Sequence, residues 1–143
     1  MARDGLQIFY AHMAAHDLWH FFPLGYLFTI LIETPILLIG LSSRHPIKWR
    51  LFAGVWLTAC TYPIVVLVMP LIFRDVSRSV YLIIAETFAP VAECSLFWLT
   101  YGKAEELGKR SMWQDFGAIV IANLASFLGG EILNAYDWFG LLR

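Results

Sequence analysis

The chain has 143 residues, of which 59% are hydrophobic and only 15% charged, where a soluble domain carries about 25% charged residues. Its net charge of −1 gives no basic footprint for a nucleic-acid partner, and its apolar runs are continuous rather than the alternating segments of about ten residues that build a transmembrane barrel. These features point to an all-α, polytopic integral membrane protein, read as a single membrane domain over residues 1–143.

The first 22 residues lack the basic, apolar and small-residue order of a cleavable signal peptide, so none is expected. Residues 7–22 read instead as an amphipathic helix at the membrane interface, ended by Pro23. His12, His16 and His20 recur every four residues, which places the three imidazoles within a sector of about 80° on a helix, with Asp17 beside it. Neutral imidazoles at this spacing can chelate a divalent metal, and a carboxylate can complete such a site. The competing reading is three interfacial histidines that meet lipid headgroups or a partner subunit.

Four apolar stretches follow, over residues 24–41, 52–73, 80–101 and 116–133. Each is close to the length of about 20 residues that crosses a hydrocarbon core. Short links, 42–51, 74–79 and 102–115, make sequential helices antiparallel neighbours, so the four spans form two hairpins. The first and third links hold Arg44, Lys48, Arg50, Lys103, Lys109 and Arg110, whereas Arg3, Arg74, Arg78 and Arg143 fall on the other side. Positive charge concentrates in cytoplasmic loops, which puts the first and third links inside the cell and both termini outside, in a multi-pass protein of the cell membrane. Trp49, Trp98, Tyr101 and Trp113 then gather at one surface, and Trp19, Phe21, Phe22, Tyr81, Tyr136 and Trp138 at the other, where amphipathic rings act as anchors. A faint parallel repeat sets Glu33 and Gly54 of the first hairpin against Glu93 and Gly117 of the second.

Carboxylates interrupt these spans. Glu33 and Glu93 fall near mid-membrane, with Glu86 and Glu131 nearer the ends. A charge at the bilayer centre costs about 2.5–3.5 kcal/mol on insertion scales, so such residues face the protein interior, hold a proton or find a partner. No Lys or Arg lies well inside a span, so the central pair is expected to be protonated at neutral pH unless a cation binds. Glu86 and Glu93, seven apart, share one helix face about 10 Å apart along the axis, which makes a carboxyl path from the outer surface to the midplane geometrically possible. The competing reading is a protonated Glu donating a hydrogen bond to Thr61, to Asn123 or to a carbonyl freed by a proline. Pro35, Pro63, Pro70 and Pro90 would free the carbonyls of Leu31, Ala59, Val66 and Glu86. They suggest either bent helices around a central polar cavity or ordinary kinks. Asn123, Ser126 and Gly130 share a face of the fourth span, read as a packing face in which Ser126 and Gly130 permit close approach. Thr58 and Thr61 read as internal hydrogen-bond formers.

The mixed run Lys103–Arg110 fits a solvated helical extension, and Cys60 and Cys94 read as buried structural thiols rather than a disulfide or metal pair. Four His are too few for the histidine boxes of membrane di-iron enzymes, and no Cys-x-x-Cys-His for covalent haem, phosphate loop or nucleophile–base–orienter set is present. An enzyme is thus the less favoured class. The leading expectation is a small protein that binds or conducts a cation, a proton or a divalent metal, through Glu33, Glu93, Glu86, Glu131, Asn123 and Thr61. Four spans enclose little of a pathway, so a homo-oligomer in contact with membrane lipid is expected. The rival is an accessory, non-catalytic subunit of a larger membrane complex.

Overall fold

The computed structural model describes residues 15–102 and 109–135, with side chains from Trp19 onward except those of residues 20, 21, 109 and 134. Within them the protein is all-helical, and four helices are long and apolar enough to cross a membrane. They are α1 (Ala15–Gly40), α2 (Ile47–Ile72), α3 (Arg78–Tyr101) and α4 (Lys109–Ala135). Around the bundle α1 packs against α2 and α4, and α3 against α2 and α4. Neighbours run in opposite directions. Thr29 back-bonds to Gly25 on α1 and Gly25 faces Tyr62 of α2, whereas Thr34, further along α1, faces Gly54. Gly40 likewise meets Ala118 of α4 while Phe28 and Ile32 meet Gly129.

Helices α2 and α4 start ahead of the apolar stretches that announce them, because the polar residues at their ends find partners. The Arg50 guanidinium donates to the carbonyls of His45 (2.7 Å) and Leu38 (3.1 Å), and Gln114 Nε2 donates to the Gly40 carbonyl (3.0 Å). The bonds to Leu38 and Gly40 satisfy carbonyls that the end of α1 leaves without helical donors, and the bond to His45 ties the link to α2. Ser77 caps α3, its hydroxyl accepting from the Val80 amide, and the Gly102 amide closes the helix on the Trp98 carbonyl.

The prolines deform the helices without breaking them. Pro23 and Pro35 lie inside α1. Pro23 therefore does not end a separate helix, since Ala15 is already helical and a proline removes only one backbone bond. In α2 the turn after Pro63 widens to a π-helix over Ile64–Val68 before α-helix resumes at Met69–Ile72. Tyr81 of α3 donates to the Val65 carbonyl there at 2.7 Å, so a neighbouring helix supplies a donor to the irregular segment.

The buried apolar core is Leu37, Leu41, Ala53, Leu57, Phe97, Ala118, Ile119 and Ala122. Ile39, Leu31, Ile83 and Leu128 point outward, which is the arrangement a hydrocarbon solvent accepts at no cost. Of the interfacial segment 7–22, residues 7–14 lie outside the described residues and 15–22 form the first turns of α1. The charged run 103–108 also lies outside the described residues.

Candidate functional site

The polar centre of the bundle is built from all four helices. Glu33 of α1 is 2% exposed and Glu93 of α3 is 1% exposed. Thr58 Oγ1 donates to Glu33 Oε2 and Ser126 Oγ to Glu33 Oε1, both at 2.7 Å. Thr61 Oγ1 donates to Glu93 Oε1 and Asn123 Nδ2 to Glu93 Oε2, again at 2.7 Å. All four carboxyl oxygens thus have a donor from α2 or α4. Helical spacing makes this possible. Thr58 and Thr61 lie three apart on one face of α2, as Asn123 and Ser126 do on α4, and residues at that separation are surface neighbours on a helix.

The pattern is unchanged when the two halves are exchanged. Each Glu takes one bond from the helix that follows it and one from the final helix of the other half, with Thr58 matching Asn123 and Thr61 matching Ser126. This differs from the register that sets Gly54 against Gly117. A Cβ on Gly54 would meet the Thr34 backbone at 2.9 Å, whereas one on Gly117 would meet nothing within 4 Å.

Each hydroxyl in the cluster also has a second acceptor. Thr58 Oγ1 reaches the Gly54 carbonyl (2.9 Å), Thr61 Oγ1 the Leu57 carbonyl (3.1 Å) and Ser126 Oγ the Asn123 carbonyl (2.9 Å). A hydroxyl has one proton to donate and two lone pairs. It can donate to an ionised carboxylate, or turn to the backbone carbonyl and accept from a protonated one. The Asn123 amide has two protons and uses both, on Glu93 and on the Ile119 carbonyl at 3.1 Å. Glu93 Oε2 therefore always faces a donor, and its proton belongs on Oε1, opposite Thr61.

Glu86 is half-buried on α3, seven residues and about 10 Å along the helix from Glu93. Glu131 is not a carboxylate without a cation. The Arg78 guanidinium, at the first turn of α3, donates to both its oxygens at 2.7 and 2.8 Å. A cation at the end of one helix thus reaches a carboxylate near the end of the next, a pairing the count of charges inside spans does not reveal. Glu86 on α3 and the partly exposed Glu131 on α4 both lie on the 73–77 side of the central pair, Glu86 seven residues before Glu93 and Glu131 five after Ser126.

A second polar cluster closes the other end. Asp115 is 0% exposed and accepts from the Ser42 amide at 2.6 Å and the Ser42 hydroxyl at 3.3 Å, and His45 Nε2 lies 3.1 Å from its Oδ2. The His45 ring stands edge-on to Phe97 and Tyr101, with centroids 5.3 Å apart in each case. Residues 42 and 45 are about 70 positions from Asp115, and only an acidic residue at the edge of an apolar run would have flagged the pair.

Other sequence expectations fare differently. Around Glu33 and Glu93 the carboxyls, hydroxyls and amide are in direct hydrogen-bond contact. The opening near Pro90 is an outward apolar groove of about 530 Å³ between α3 and α4, lined by Pro90, Cys94, Trp98 and Phe116 among others. Ser126 is a carboxyl donor as well as a small packing residue. On α4 it is Gly129 that faces α1, against the Ile32 and Phe28 side chains, while a Cβ on Gly130 would meet nothing within 4 Å. Cys60 and Cys94 are free thiols, and Cys60 is exposed on the apolar surface rather than buried. His12 lies outside the described residues. His16, Asp17 and His20 belong to the α1 backbone, and their side chains lie outside the described set, as does any metal site they form. Among the described residues no group of three or more His, Cys, Asp or Glu could hold a metal ion. Compared with known proteins, the chain matches no family model, no curated protein and no solved structure.

Proposed function

We propose that this protein binds and relays protons in a membrane through Glu33 and Glu93, with Glu86 and Glu131 as the steps toward one surface. The observation that carries the reading is the second acceptor available to Thr58, Thr61 and Ser126. A cluster serving only to hold helices together needs one protonation state, whereas these rotating hydroxyls satisfy both. A divalent metal is a weaker fit, since every oxygen of the central pair already accepts a hydrogen bond from protein.

The proposal includes two hairpins related by a parallel repeat, supported by the exchange symmetry of the hydrogen bonds. It places the 73–77 link and both termini outside the cell membrane, on the distribution of Lys and Arg, and it includes a homo-oligomer. A second reading, an accessory subunit of a larger complex, draws on the outward groove beside Pro90. In that case a native particle in mild detergent contains other chains.

The test is proton flux in liposomes made with the purified protein. Glu33→Gln and Glu93→Gln should each slow flux about a hundredfold, the low end of what a positioned acid–base group contributes. Unchanged flux in the double variant would overturn the reading.

A further inference from the structure

The two halves of the bundle on either side of the carboxyl pair are built differently. Toward the 41–46 link, Leu37 follows Glu33 by one turn and Phe97 follows Glu93 by one turn, and both are buried with Leu57, Ile119 and Ala122. Between Glu93 and Tyr101 lie eight helical steps, about 12 Å, filled by this apolar core. Beyond it sits the buried Asp115 with Ser42 and His45. Toward the 73–77 link, the fully buried apolar side chains among the described residues are only Met69 and Ala85. There Glu86 lies half-buried about 10 Å from Glu93 along α3, and Glu131, whose side chain is 37% exposed, lies about 12 Å from Asn123 along α4.

A proton needs polar groups in succession, because a bare charge in hydrocarbon costs several kcal/mol. One direction offers carboxyls, and the other offers methyl groups and rings with the separate hydroxyls of Thr34 and Tyr101 among them. We infer that the central pair exchanges with water on one side of the membrane only, the side of the 73–77 link, and that the opposite half of the bundle is a seal. This rests on the proton-relay reading of the same site. Loading then occurs from the 73–77 side, and net transfer across the membrane requires the seal to open.

Access is tested without measuring flux. In vesicles of known orientation, a membrane-impermeant carbodiimide with an amine nucleophile is applied from each side, and modified carboxyls are mapped by mass spectrometry. Asp75, exposed on the 73–77 link, reports that the reagent reached that face. The expected result is modification of Glu131 and Glu86 from the Asp75 side, with Asp115 unmodified from either side. Modification of Asp115 at a rate near that of Glu86, or of Glu86 from the opposite side, would overturn the inference. The second measurement uses single cysteines in a Cys60→Ala/Cys94→Ala background. Ala89→Cys, half-buried on α3 between Glu86 and Glu93, should react with an impermeant thiol reagent about tenfold faster than Ala122→Cys at a fully buried position, since thiol reactivity follows exposure. Equal rates would count against a seal. Unchanged flux in the Gln variants would remove the proton reading, while the labelling pattern would still decide the access.

Discussion

Thr58 sits within 2.7 Å of Glu33 and 2.9 Å of the Gly54 carbonyl, and its hydroxyl is the part that matters. Thr58→Val keeps the shape and removes the rotor, while Thr58→Ser keeps the rotor and removes a methyl group. The valine variant should lose most proton flux and the serine variant should retain it. In unfolding experiments each should cost no more than about 1.7 kcal/mol, the upper range for a hydrogen bond between membrane helices. Similar flux in the two would assign Thr58 to packing. The sequence shows the carboxyls well, because an acidic residue inside an apolar run is conspicuous on energetic grounds. It shows their partners less well. Asn123 and Thr61 stand out as polar groups in spans, but Ser126 passes as a small packing residue. Asp115 passes as the last residue of a link, because nothing local says that a helix beginning at Lys109 will carry it into the interior.

Among helices, the crossing of α1 and α2 depends on Gly54. An added Cβ would lie 2.7 Å from Thr34 Oγ1 and 2.9 Å from its Cα, and backbone cannot move aside as a side-chain tip can. Gly54→Ala should therefore destabilise the protein by about 1–3 kcal/mol, the range for overpacking. Gly130→Ala meets open space and should be neutral or stabilising by up to about 1 kcal/mol through helix propensity. Denaturant titrations in detergent micelles compare the two, and equal losses would contradict the crossing described. The span positions are legible from hydropathy, and the helix ends are not. Arg50 and Gln114 look like loop residues until the carbonyls of His45, Leu38 and Gly40 are seen to receive their protons. The π-helical turn of α2 between Pro63 and Pro70 is likewise invisible in composition, since its stabilising contact comes from Tyr81 on another helix.

At the scale of the whole molecule, the bundle holds its charge chemistry and its apolar packing in different halves. The carboxyls extend from the centre toward Arg78 and Glu131, and the packed core fills the space toward Asp115. This division depends on which helices are neighbours, and a periodic pattern along one chain does not contain that information. The central claim is that Glu33 and Glu93 exchange protons inside the bundle. Infrared difference spectroscopy of the protein in lipid measures this most directly, through the carbonyl stretch of protonated carboxylic acids recorded across a pH titration and after transfer to D₂O. The account predicts a band that shifts on deuteration, fades as pH rises, and is diminished in Glu33→Gln and again in the double variant with Glu93→Gln. A band of unchanged intensity in the double variant, or no pH-dependent band in the wild-type protein, would contradict it.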